Sequence, residues 1–424
     1  MKITPKISPR IIPNIASLYH FLTRIIMEFI DNSFDSAENM PTLLGENSTS
    51  DYATPVEITV AIWGKDYRDG IITITDNCRG IPDLSEILKN IGNSSKKVQA
   101  WTNGQFGYGI YAFLSACEQL EIRTKYEGRY SSTVIRKEDF LKDDIADVQF
   151  EVSSDPFDFP YDSGTQIILS SFAKNKWEQL NTDSVSENVE RHFERLLSRK
   201  NLKVIINHNG QQHQCKSFDY EKYEGETIER SFKLELGTDK AMSFSNDTIK
   251  IFLRYTKNIF LERPPVFISK NRRIAEVRDL KNFRTYCKSS IWGHPNITGY
   301  IDTGNILNPI ISRDDFKNDK NTTRLFKKII ELEPGIEADI KALVQKNQVS
   351  DFSHIENKFN SVLNNLENLN KNETTTPEIG DTVYLAASGE VIYPVLVETR
   401  QGRRRKKRSG NRDNDGKIME FQNK

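Results

Sequence analysis

The chain of 424 residues has few cysteines, and their placement matters more than their number. Cys78, Cys117, Cys215 and Cys287 are far apart and form no CxxC pair, which argues against a zinc module or a disulfide framework and fits a reducing, cytoplasmic setting. No stretch reaches the ~18 consecutive apolar residues of a membrane span, and the N-terminal segment MKITPKISPRIIPNIAS lacks the apolar core of a signal peptide. There is no excess of charge of either sign, with 59 Lys plus Arg against 59 Asp plus Glu, so overall charge selects no partner. There is no GxxxxGK[ST] phosphate loop and no internal repeat. What remains is a soluble protein too long for one ordinary core.

Patterning divides it. Residues 14–38 read as one helix, capped at Asn14 or Ser17. VEITVAIW and GIITITD alternate as strands about a KDYRDG turn, LSEILKNIG is a short helix, and IYAFLSACEQ is an apolar helix. Two further strands and GTQIILSSF complete a first unit, 1–172, of helices on an antiparallel-looking sheet. A second α+β unit, 173–348, opens with the helical SVSENVERHFERLLSRKN. It holds the strands KVIINHNGQ, TIKIFLRYT, PPVFISKNRRI and ITGYIDTG and ends in two helical runs broken at Pro334. A C-terminal helix, 349–371, precedes a linker, a short strand pair and a basic tail over 372–424.

Four segments carry chemistry. In IIMEFIDNSFDSAE, a helical advance of about 100° per residue puts Glu28, Asn32 and Asp35 within roughly 60° of one another, with Asp31 beside them and an apolar stripe on the other side. Glu28 suits proton abstraction from water, and Asn32 offers a neutral oxygen to a hard cation such as magnesium. A solvated face explains the same pattern equally simply. In DNCRGIP, Asp76 ends a strand beside the Gly80 turn, where a carboxylate accepts a hydrogen bond from an exocyclic amine and the glycine admits a flat ring. Ordinary turn chemistry has the same signature. In GQFGYG, glycines precede an apolar helix whose N-terminal amides suit phosphate. Thr165 opens the strand GTQIILSSF and can join Asp76.

In this order, EFIDNSFD, DNCRGIP, GQFGYG and GT together resemble the GHKL superfamily (gyrase, heat-shock chaperone, histidine kinase, MutL), over roughly residues 14–172. The resemblance implies a Bergerat-type ATP-binding α/β sandwich with ATP and Mg2+ bound. It gives Glu28 as general base, Asn32 as the magnesium ligand, Asp76 on the adenine amine with Thr165 assisting, and Gly80 admitting the base. Gly104, Gln105, Phe106, Gly107, Tyr108 and Gly109 would wrap the phosphates, with Asp35, Ile81 and the lid lysine Lys97 in the nucleotide-contacting set. Cys78 stands where the family has glycine, which would tighten the approach of the ring.

Glu28 disfavours a histidine kinase, as does His20, which lies inside the first helix with little chain ahead of it. GNILNPIISRDDFKND resembles the transducer segment of the ninety-kilodalton heat-shock chaperones and a similar place in the MORC family, which puts Arg313 on the γ-phosphate. Lys270 and Arg272 are rivals for that role, or members of a solvated hairpin. The family implies an ATP-gated clamp closing as a homodimer. Eight basic residues between Arg400 and Arg412 suggest DNA as its object. The alternative object is a protein client or operon partner remodelled in the manner of a chaperone.

Overall fold

The computed structural model describes residues 11–38, 40, 51–89, 109–142, 148–234, 248–260, 262–280, 283–284, 291–307, 309–310 and 315–372, with two-residue strands at 384–385 and 391–392. The chain divides into two compact units, 1–344 and 345–424.

Two helices stand where one was expected. α1 (Ile11–Ala16) ends before Tyr19, and α2 (Leu22–Ala37) starts after the extended Phe21, which offers no side-chain cap. β1 (Val56–Trp63) and β2 (Ile71–Asp76) pair antiparallel, and the alternation in VEITVAIW appears as alternating burial. α3 (Leu84–Lys89) follows. The segment read as an apolar helix is only a short 3-10 turn, Gly109–Ser115, before β3 (Cys117–Tyr126) and β4 (Arg129–Arg136). β5 (Gly164–Phe172) lies between β3 and β2.

α4 (Lys174–Trp177), α5 (Thr182–His192) and α6 (Glu194–Leu197) come next, with the Asn181 side chain capping α5. β6 (Leu202–His208) then returns to the first sheet parallel to β1, and β7 (Gln211–Gln214) closes its edge. The sheet order is β4-β3-β5-β2-β1-β6-β7, so the first sheet takes in residues well past 172, the boundary expected from the sequence. A parallel partner needs a long crossover; here α4–α6 supply it.

The core of this sheet is α2 laid on its inner face. Ile25, Ile26, Phe29, Ile30 and Phe34 are buried with Ile58, Val60, Ile62, Ile72 and Ile74. Each such side chain contributes about 1.5–3 kcal/mol of burial, which fixes the helix against the strands.

The second sheet has the order β11-β10-β12-β9-β8. It is built from β8 (Gly225–Lys233), β9 (Thr248–Thr256), β10 (Val266–Ser269), β11 (Arg272–Glu276) and β12 (Ile297–Asp302). Helix α7 runs from Lys320 to Asn372 and keeps Pro334 inside it, where the sequence suggested a break. Asp319 starts it by accepting the Thr322 amide at 2.8 Å. Leu325, Phe326, Ile329 and Ile336 of α7 join Ile251, Leu253, Phe267 and Ile301 in a second core. The result is the α+β fold expected from the sequence. In the unit 345–424, β13 (Tyr384–Leu385) pairs antiparallel with β14 (Val391–Ile392).

Candidate nucleotide site

The acidic residues of α2 are not a wet face. Glu28, Asp31 and Asp35 are all at least 98% buried, and burying carboxylates is costly unless they are paired and hydrogen-bonded. Glu28 Oε1 lies 3.2 Å from Arg24 Nη2, one turn back along the helix. Its other oxygen faces Gly109: a Cβ there would come within 3.2 Å of Glu28 Oε2. The last glycine of GQFGYG, expected at the phosphates, thus lies against this acid. Asn32 sits one turn past Glu28, half-buried.

Asp76 ends β2 directly opposite Thr165 of β5. Its carboxylate accepts from Ser33 Oγ at 2.7 Å through Oδ2, and from the Cys78 and Thr165 amides at 3.0 and 3.3 Å through Oδ1. Burial pushes its pKa up, and the bonds from Ser33, Cys78 and Thr165 oppose that rise. Ser33, which ties Asp76 to α2, escaped the sequence reading; it is one residue past Asn32, and only the fold aims it at Asp76.

The loop after Asp76 is stitched to the start of β5. The Ile81 amide donates to Thr124 Oγ1 at 2.8 Å, and that hydroxyl donates to the Gly164 carbonyl at 3.0 Å. Gly80 has φ +81°, and a Cβ on it would stand 2.3 Å from the Lys125 carbonyl oxygen. The close approach that Gly80 allows here is therefore that of its own backbone. Cys78 is fully buried, and its thiol lies 3.6 Å from the Ser33 carbonyl. It is tucked against α2, whereas the sequence suggested that it would narrow the path of a ring.

Asp35 is the clearest departure. Expected among the nucleotide contacts, it lies instead against Arg272: Arg272 Nη2 donates to Asp35 Oδ1 at 3.0 Å and Nε to Asp31 Oδ1 at 2.8 Å. The reason is electrostatic. Arg272 has no exposed surface, and burial works against its charge. The charges of Asp31, Asp35 and Glu38 overcome that, so its pKa is held above the usual value. Arg272 and Lys270, which is 5% exposed, are not a solvated hairpin, and Arg272 is committed to α2. Beside it, Arg199 pairs with Glu38, which also accepts from Tyr52 at 2.9 Å.

Lys97, Gly104, Gln105, Phe106, Gly107, Tyr108 and Arg313 lie outside the described residues, as does the basic run from Arg400 to Arg412. Among the described residues, Glu190, His213 and Cys215 bring three possible metal-ligand atoms within 4.8 Å of one another, which cysteine spacing alone did not foretell. Glu190 Oε1 there already bonds His213 Nε2 and the Lys216 amide, at 2.9 and 3.0 Å.

Residues 19–165 match the family model described as histidine kinase-, DNA gyrase B-, and HSP90-like ATPase. The chain carries a GHKL-type ATPase domain. Glu28, Asn32, Asp76 and Gly109 all lie within the matched segment of this domain, and Thr165 is its last residue. ATP is the ligand that such a domain binds, and domains of this family typically hydrolyse it. No curated protein matches the chain. Among the described residues, no helix of the chain is long and apolar enough to cross a membrane.

Proposed function

We propose that this protein hydrolyses ATP with magnesium and works as an ATP-gated dimerising clamp on DNA, in the manner of MORC or MutL proteins. The observation that carries the hydrolytic part is Glu28: a buried carboxylate with one oxygen steadied by Arg24 and the other facing a glycine that leaves it room. Glu28 Oε2 takes the proton of water as its oxygen bonds to the γ-phosphorus and the bond to the ADP oxygen breaks. A positioned base of this kind contributes about 10²–10⁴-fold in rate.

The donor set of α2 fits magnesium, because a half-buried carboxamide beside a carboxylate offers the hard oxygen that this ion prefers. Asn32 would hold it, and bound there it would neutralise phosphate charge. Asp76 accepts the adenine amine, with Thr165 beside it, and Gly80 and Ile81 form the wall of the base site. Lys97 and the loop Gly104–Gln105–Phe106–Gly107–Tyr108–Gly109 enclose the phosphates, and Arg313 reaches the γ-phosphate. The basic run from Arg400 to Arg412 supports DNA as the object, since such a run neutralises backbone phosphates.

Turnover by wild type and by Glu28→Ala tests the enzyme. Wild type should release phosphate and the variant should lose about 10²-fold or more while still binding ATP. A wild type that binds ATP and never turns it over refutes hydrolysis. DNA should stimulate turnover, and the stimulation should fall about 10³-fold in apparent affinity between 50 and 200 mM salt if some six phosphates are neutralised. Turnover indifferent to DNA but raised by a protein partner would assign the clamp to protein remodelling.

A further inference from the structure

Arg272 stands on β11 of the second sheet, yet its guanidinium is spent on the helix of the ATP site. Nε and Nη2 reach Asp31 and Asp35, and Nη1 donates to the carbonyl of Lys270 at 2.8 Å. Asp31 and Asp35 lie on either side of Asn32 in the sequence of α2, within seven residues of Glu28. All three charged partners are buried. A buried ion pair is a poor source of stability, and apolar side chains of similar volume usually serve as well. What a forked guanidinium adds is direction: two donors in a fixed plane accept only one placement of two carboxylates.

The turn that presents Arg272 is built for that placement. Lys270 and Asn271 form a two-residue hairpin loop with φ of +49° and +62°. This left-handed conformation suits hairpin turns but is unfavourable for lysine. Both residues are nevertheless 5% exposed, and the Lys270 amide is pinned to the Gly304 carbonyl at 2.9 Å. A strained, buried turn is thus held in place to point one arginine at α2. The side of the second sheet has other fastenings to α6, which packs on the first, Arg263 to Glu194 at 3.0 Å and Arg195 to the Tyr300 hydroxyl at 3.1 Å. Seating the two sheets does not depend on Arg272 alone.

We propose that Arg272 is a positioning residue for ATP turnover: through Asp31 and Asp35 the β10–β11 hairpin sets the register of α2, and with it Glu28 and Asn32, so hydrolysis follows the seating of the second sheet. This rests on the ATPase reading above. Because such coupling is reciprocal, ATP binding also steadies the hairpin.

The test compares the full chain with Arg272→Met and with the triple variant Asp31→Asn/Asp35→Asn/Arg272→Met, which leaves no unbalanced charge in the core. Melting temperature, affinity for a non-hydrolysable ATP analogue and kcat are read on each. Arg272→Met should lower kcat about 10- to 100-fold, the effect of misplacing catalytic groups by up to an ångström, with analogue affinity within about threefold. The triple variant should recover the melting temperature but not kcat. It stands in for Arg272→Met should that variant fail to fold. The analogue should slow amide hydrogen exchange over residues 266–276 in wild type and not in the triple variant. Recovery of kcat together with melting temperature would reduce Arg272 to charge balance and overturn the inference while leaving the ATPase reading intact. A wild type without turnover would overturn both.

Discussion

Replacing Asp76 by Asn tests base recognition at a single atom. The carboxylate Oδ1 accepts two backbone amides, from Cys78 and Thr165, while Oδ2 takes the Ser33 hydroxyl. In Asp76→Asn the carboxamide oxygen must stay on the side of the two N–H donors, because the reverse orientation would set an NH2 against both. The NH2 is therefore forced to the Ser33 side, where that hydroxyl can turn and accept from it. The fold survives, but an adenine amine arriving on that side would meet a donor in place of an acceptor. A hydrogen bond to a charged group contributes about 1.5–3 kcal/mol, so the dissociation constant for ATP should rise about 10- to 150-fold. Titration calorimetry with a non-hydrolysable analogue reads this directly. A purine nucleotide with a carbonyl at the same ring position should lose less, or gain, because the new NH2 can donate to it. Stability gives an independent check. Burial holds the Asp76 pKa above its ordinary value, so the folded chain binds this proton more tightly than the unfolded one. The contribution is complete below the unfolded pKa of about 3.9 and is lost as pH rises through the folded value. Wild type should thus lose up to about 1.4 kcal/mol per pH unit relative to Asp76→Asn across that window, after which the difference stays flat. Analogue affinity within threefold of wild type would refute the role given to Asp76.

Other consequences are simpler to read. Gly164→Ala should destabilise the chain by about 2 kcal/mol or more in chemical denaturation, since φ there is +142° and the added Cβ would lie 2.0 Å from the Asp76 carbonyl oxygen; unchanged stability would mean that the loop after β2 yields easily. Burial pushes the Cys117 and Cys215 thiols up to about 12 and raises Cys78 further. All three should resist a thiol reagent at pH 8 in the native chain and react once it is unfolded, because the thiolate is the reactive form. Tyr52→Phe should cost about 1–3 kcal/mol in thermal unfolding. It removes the hydroxyl bonded to Glu38 at 2.9 Å and to Arg199 at 3.0 Å, leaving a buried pair under-satisfied.

What could be read from the sequence was local. The alternation of VEITVAIW and GIITITD placed two strands, and the turn between them, because side chains two apart share a face. α2 was visible from its apolar stripe; Asp76 and Thr165 were each read at a strand end, and the fold sets those ends opposite one another. Errors arose where an element is short or its partner distant. GIYAFLS is apolar on every side, and only the fold shows that seven residues form a 3-10 turn. KVIINHNG reads as a strand from its apolar run, and nothing local says that it lies parallel to β1, about 146 residues earlier in the register of Val56 and Leu202. Pro334 reads as a stop, yet packing of Leu325, Ile329 and Ile336 on the second sheet holds the helix through it.

The largest gap concerned α2 itself. Its acids look like a solvated face because a helix with charges at these spacings usually is one. Here three carboxylates are buried within two turns, an arrangement that folding alone would not favour, since isolated buried charge is expensive. Each meets a guanidinium, but from different sources: Glu28 has Arg24 of its own helix, whereas Asp31 and Asp35 depend on Arg272, 241 residues from Asp31. The division follows position on the helix. The carboxylate proposed for water chemistry has a neighbour on its own helix, and the pair beside it has one that a second sheet must deliver. A helix built only for stability would need no buried acids, so those of α2 fit the two proposed roles, a catalytic edge at Glu28 and a docking edge at Asp31 and Asp35 on one element.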